Sequence, residues 1–144
     1  MDPSESLQKA LHYLQTAAPA KCVSLCDEIL AGNPGLIQAL YLRGCASMET
    51  GDIARSISDL EIVHDNHPEH LHAAYYLGRS LRVAGRFDDA LAPLRTALGA
   101  DEFVVPAHYE LAICLSCLRR RSAAIEHYQA ILALQPGNAQ VAVF

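Results

Sequence analysis

Apolar residues along 71–84 fall at Ala74, Leu77, Leu81 and Ala84, and along 87–100 at Phe87, Ala90, Leu91, Leu94, Ala97 and Leu98. Intervals of three and four residues place each set on one face of a helix, so this stretch predicts two amphipathic helices. Gly85 lies between them, and glycine tolerates the left-handed backbone with which many helices end. Pro68 and Pro136 close second helices elsewhere, because proline cannot continue the hydrogen-bond ladder and disfavours helix in the residue before it.

The same pattern recurs every 34 residues, without insertion. Gly44 and Gly78 are one period apart, as are Gly51 and Gly85. Ser56, Ala90 and Ala124 keep the interval, and so do Leu60, Leu94 and Tyr128. The windows are 3–36, 37–70, 71–104 and 105–138, with 139–144 opening a further or capping helix. Small residues recur where paired helices must approach: Ala10, Gly44, Gly78 and Ala112 in the first helices, Ala90 and Ala124 in the second. A period of this length marks a stack of identical supersecondary units, each too small to bury its apolar face alone.

Leu77-Gly78, Leu81, Gly85, Phe87, Ala90, Leu94 and Ala97 of the third window resemble the tetratricopeptide repeat. The fourth window resembles it at Leu111-Ala112, Leu115, Ala124, Tyr128 and Pro136. The resemblance runs over 3–138 and implies an all-α fold, an α-solenoid of tandem helix-turn-helix repeats forming a right-handed superhelix, with the whole of 1–144 as a single array. Departures stand at Ala17 and Arg119, where the turn glycine belongs. Either the turn differs there, or a left-handed non-glycine residue costs about 1–2 kcal/mol. Glu102 replaces a closing proline, with Pro106 suited to the first turn of the next helix. Pro93 lies inside a second helix, where it removes a hydrogen bond and should bend it. The first window is the least typical, with Lys9, Ala17, Pro19 and Cys22 at signature positions.

Composition narrows the function. Hydrophobic residues make up 51% and charged residues 19%, which is a folding composition rather than a disordered one. A net charge of −5 opposes nucleic-acid binding, which needs clustered Lys and Arg. No run approaches the roughly 20 apolar residues of a membrane span. The N-terminus, MDPSES, carries acid where a secretory leader carries positive charge, and the odd cysteine count fits no disulfide scaffold, so the expected compartment is the cytoplasm.

Candidate chemistry is sparse. His64, His67, His70 and His72 crowd into nine residues, and short His-rich tracts can bind metal. The repeat period places them across an inter-repeat turn, and His70 and His72 are too close along a helix to point the same way. A metal needs several ligands converging at about 2.1 Å, so no metal site and no cofactor are expected. Cys114 and Cys117 form a CxxC in mid-helix with no second pair, and all five cysteines are expected to pack as small hydrophobes. Arg119-Arg120-Arg121 reads as a solvated basic turn, with an anion or acidic partner as the alternative. No nucleophile elbow, phosphate loop or HExxH is present, so no catalytic residue is assigned and the chain is not expected to be an enzyme.

In tetratricopeptide proteins the first helices line a concave groove. The resemblance therefore implies a partner-binding groove formed by Leu7 and Leu11, by Tyr41, Cys45 and Met48, by His72, Tyr75, Tyr76, Arg79 and Arg82, and by Tyr109 and Ile113. Tyr and Arg dominate binding hot spots, and guanidinium pairs bidentately with carboxylate, so the expected partner is a protein or peptide with apolar anchors and an acidic group. For Tyr75, Tyr109 and Ile113, packing between repeats is an equal alternative. The family's carboxylate clamp is not expected, because Asn33, Asn66 and Asn138 all lie in turns and Lys9 and Lys21 are the only lysines. Val141, Val143 and Phe144 leave an apolar strip, which implies either a domain cut from a longer protein or an edge covered by self-association. The expected function is a non-enzymatic scaffold for protein–protein interaction. The alternative is the recruiting domain of a larger multidomain enzyme, and a metal or thiol-redox sensor is the weaker reading.

Overall fold

A computed structural model describes residues 2–135. They form eight α-helices: α1 (Pro3–Gln15), α2 (Pro19–Gly32), α3 (Ile37–Glu49), α4 (Ile53–Asn66), α5 (Leu71–Val83), α6 (Phe87–Ala97), α7 (Val104–Cys117) and α8 (Arg121–Leu134). One 3₁₀ turn, Asp101–Phe103, precedes α7, and there is no strand among the described residues. The expected closing proline Pro136, the asparagine Asn138 and the strip Val141, Val143 and Phe144 lie outside the described residues.

Each helix pair closes through one backbone device. Ala18 N–H donates to the Tyr13 carbonyl, Asp52 to Ser47, Arg86 to Leu81 and Arg120 to Leu115, each at 2.8 Å. This six-to-one bond belongs to the Schellman cap and requires a left-handed residue just before its donor. Gly51 and Gly85 supply it with φ of 89° and 80°. Ala17 and Arg119 supply it too, with φ of 58° and 62°. The turn therefore does not change where glycine is missing; the cap imposes the conformation and the residue carries the cost.

The chain divides into two compact units, Met1–Ala73 and Ala74–Phe144. In the first, α1 packs on α2, α2 on α3, and α3 on α4. Its core holds Ala10, Cys22, Cys26, Leu42 and Ala46, flanked by Leu7, Tyr13, Leu14, Val23, Leu25 and Tyr41. Helix α3 presses Gly44 against Leu60 of α4, where a Cβ would lie 2.7 Å from Leu60 Cγ. Beside it, the Arg43 guanidinium grips both oxygens of Asp59 at 2.7 and 2.8 Å and donates to Asp27 at 2.9 Å. Arg55 reaches the same Asp27 oxygen at 2.7 Å. This network ties α2, α3 and α4 together, and it neutralises the Asp59 carboxylate, whose side chain is only 4% exposed.

In the second unit, α6 packs on α7 and α7 on α8. Gly78 lies against Leu94 as Gly44 does against Leu60, one period later. Leu94, Leu111, Leu115 and Ile131 fill the interior. Pro93 is buried inside α6, which continues across it but ends at Ala97. The next turn lacks its proline, and the 3₁₀ segment occupies that place. Pro106 then sits in the first turn of α7, where its missing N–H costs no hydrogen bond.

Candidate functional site

In the first unit, the predicted Leu7, Leu11 and Tyr41 line a cavity of about 810 Å³. Gln8, Asn33, Gly35, Leu36, Ile37, Gln38, Leu42, His67, Glu69 and His70 complete it, and none of these ten was singled out for the groove from the sequence. The floor is aliphatic, and Leu11 is 42% exposed. His70 stands just before α5 and accepts a hydrogen bond from Ala73 N–H at its Nδ1, 3.1 Å away. That contact requires an unprotonated Nδ1, which fixes the tautomer. The ring lies 4.7 Å from the ring of Tyr41, and burial, followed by the neighbouring His72, holds the His70 pKa below its ordinary value. Cys45 is buried in α3, and burial pushes its thiol up to about 12. Met48 is half-buried near the end of the same helix.

In the second unit, Tyr75 is buried and stacked on Phe103, with centroids 4.5 Å apart and planes 13° apart. Tyr76 meets both rings edge-on, at 5.2 and 5.9 Å. Arg79 is exposed. Arg82 instead pairs with Glu110 of α7, whose side chain is 8% exposed. Tyr109 is 45% exposed and turns its ring edge toward Tyr128, while Ile113 is half-buried. So two of the groove arginines differ: Arg82 balances a buried carboxylate, whereas Arg79 projects outward. Their three-residue spacing along α5 could not distinguish them, because the partner Glu110 is 28 residues away.

The remaining candidates resolve by position. His64 lies in the last turn of α4, His67 caps it and His72 enters α5. His67 Nδ1 lies 3.2 Å from Glu69. Among the described residues, no group of three or more His, Cys, Asp or Glu could hold a metal ion. Cys22, Cys26, Cys45 and Cys114 are buried, as expected of packing thiols. Cys117 is exposed, which corrects the expectation that all five pack inside. It is the last residue of α7, where the helix has already cleared the core. An unforeseen contact joins α7 and α8: His108 Nδ1 and His127 Nδ1 are 2.9 Å apart. No described helix is long and apolar enough to cross a membrane.

Residues 41–105 match the model of the tetratricopeptide repeat family. This segment carries tetratricopeptide repeats. The tetratricopeptide fold extends beyond it. MamA 41-end from Desulfovibrio magneticus RS-1 superposes with a TM-score of 0.86 over 98% of this chain and 80% of that one, at 21% identity. A crystal structure of MamA gives 0.82 over 92% of this chain and 77% of that one, at 18% identity. Likeness at such identities is likeness of fold. The chain is also 33% identical over 72 residues to an FK506-binding protein-like protein of Rattus norvegicus, half of this chain. It spans 20% of that relative's length.

The tetratricopeptide α-solenoid thus accounts for the period, the small residues and the turns. The clamp asparagines of some tetratricopeptide proteins have no counterpart in the described first helices: Asn33 caps α2 and Asn66 ends α4. The two lysines lie over one ring, Lys9 and Lys21 each 5.8 Å from the centroid of Tyr13.

Proposed function

We propose that this chain is a non-enzymatic protein-interaction module that holds a segment of a partner protein against its first helices. The observation that carries the reading is the apolar cavity of the first unit, lined by Leu7, Leu11, Ile37, Tyr41 and His70. Its volume of about 810 Å³ is in the range of sites that enclose a ligand, and one aromatic ring and several aliphatic groups offer anchors without a catalytic constellation. In the second unit, exposed Arg79 beside half-buried Tyr76 offers an acidic group a bidentate partner. The tetratricopeptide match and the fold likeness support the same class of function.

Affinity capture with quantitative mass spectrometry tests this. Tyr41→Ala in the first unit, and Tyr76→Ala or Arg79→Ala in the second, should each weaken partner capture while the helical content of the array is retained. A partner set unchanged by all three together would overturn the reading. A second reading is favoured by the relative of which the match occupies a fifth: the array recruits partners for a longer protein. Under that reading the same variants reduce recruitment to the longer chain, and any chemistry resides elsewhere in it.

A further inference from the structure

The turn between α7 and α8 departs from its counterparts in a way that packing does not require. Just inside the second helix the first three repeats carry Pro19, Ile53 and Phe87, each half-buried, whereas the fourth carries Arg121, exposed. At the left-handed turn position the other three carry Ala17, Gly51 and Gly85, and the fourth carries Arg119 with φ 62°. A long charged side chain is thus held at a strained position, and a charge replaces an apolar contact. Local violations of a repeat's own rule are expected where function overrides packing.

The middle arginine behaves differently. Arg120 repeats Arg86: Arg86 reaches Asp89 at 3.0 Å, and Arg120 reaches Asp88 at 3.5 Å. Neither Arg119 nor Arg121 has an ion pair among the described residues. Both line a cavity of about 470 Å³ with Ser116, Ala124, Ile125 and Tyr128. Ala124 and Tyr128 form a buried floor, and Ile125 is 40% exposed beside it.

We propose that this cavity docks an acidic peptide segment of a partner protein, its carboxylate held by Arg119 and Arg121 and an adjacent aliphatic side chain seated against the exposed Ile125. Charge complementarity names the occupant: the chain carries −5 overall, yet two guanidinium groups stand here without a described counter-ion. The apolar floor argues for a peptide over a free inorganic anion, which has nothing to place there. Tyr128 is only 7% exposed, so it offers no ring face on which a nucleobase could stack. None of the lining residues is among the groove residues named for the first helices, so the inference does not rest on that reading.

The test is a ¹⁵N chemical-shift titration of the whole chain with an acetylated, amidated peptide Glu-Asp-Leu-Asp-Glu-Gly. Its neutral analogue Gln-Asn-Leu-Asn-Gln-Gly and inorganic phosphate serve as comparisons. The acidic peptide should shift amides within 116–128, bind at least about fivefold more tightly than either comparison, and weaken as salt rises. Arg119→Gly and Arg121→Gln should each weaken it by about fivefold or more, and neither change touches the core. Tyr76→Ala/Arg79→Ala should leave this binding intact, which separates its failure from failure of the first-helix reading. Equal binding of the neutral peptide, equal binding of phosphate, unchanged affinity in the doubly substituted arginine variant, or no shifts at millimolar peptide would each overturn the proposal.

Discussion

A Cβ placed on Gly78 would lie 2.4 Å from Leu94 Cγ and 2.6 Å from Leu94 Cδ2. Leu94 is fully buried and cannot swing aside. Gly78→Ala should therefore destabilise the chain by about 1–3 kcal/mol, although alanine is the better helix former by roughly 1 kcal/mol. Gly44→Ala, with its Cβ 2.7 Å from Leu60 Cγ, should behave alike. Urea denaturation measures both, and a neutral or stabilising result would show that the helices separate at no cost.

Ala17 and Arg119 invite the opposite change. A left-handed non-glycine residue costs roughly 1–2 kcal/mol, and glycine's extra freedom in the unfolded chain returns about 0.5–1 kcal/mol of that. The difference favours glycine by about 0.5–1 kcal/mol at each site. Thermal melts of Ala17→Gly and Arg119→Gly should move upward, whereas Gly51→Ala and Gly85→Ala should move down, because those positions hold φ of 89° and 80°. If the glycine variants melt lower, the capping turn is not where the strain resides.

Thiol chemistry separates the cysteines. Burial pushes Cys45 up to about 12 and Cys114 up to about 11, so both stay as inert thiols near neutrality. Cys26 is raised by its hydrogen bond with Cys22, and Cys22 is lowered by the same bond. Both side chains are fully enclosed, so reagent does not reach them. In the native protein DTNB should titrate one thiol rapidly, and Cys117→Ser should abolish that phase. All five cysteines should react once the chain is unfolded. A second fast thiol would mean that the core opens on the timescale of the assay.

The His108–His127 contact makes stability depend on pH. Burial holds both imidazoles below the ordinary 6.5, and for His127 the neighbouring His108 and Arg95 add to it while Glu126 opposes. The fold thus disfavours the charged form, and the unfolded chain binds protons first as acid is added. Stability is fully present above about 6.5 and is lost as pH falls from there through the lowered folded values. The melting temperature should drop between about pH 7.5 and 5.5, and His127→Gln should shrink that drop. An unchanged profile in His127→Gln would assign the acid sensitivity to another group, of which His70 is the first to examine, because protonation also removes its acceptor for Ala73 N–H.

By itself the sequence determined what depends on spacing along the chain. The 34-residue interval places small residues at helix crossings and left-handed residues at turns, and local backbone physics makes each repeat fold as a hairpin. The buried positions Ala90, Leu94, Ala124 and Tyr128 were legible for that reason. Tertiary structure alone decided which polar side chains find each other across helices. Arg43 reaches Asp27 and Asp59 from 16 residues on either side, Arg82 reaches Glu110 across 28, and His108 meets His127 across 19. It also decided that Cys117 emerges into solvent and that Arg119 and Arg121 flank one cavity. Helical periodicity states which face a residue is on; how far the helix runs before leaving the core, and which charge waits on the neighbouring helix, depend on packing between elements distant in sequence.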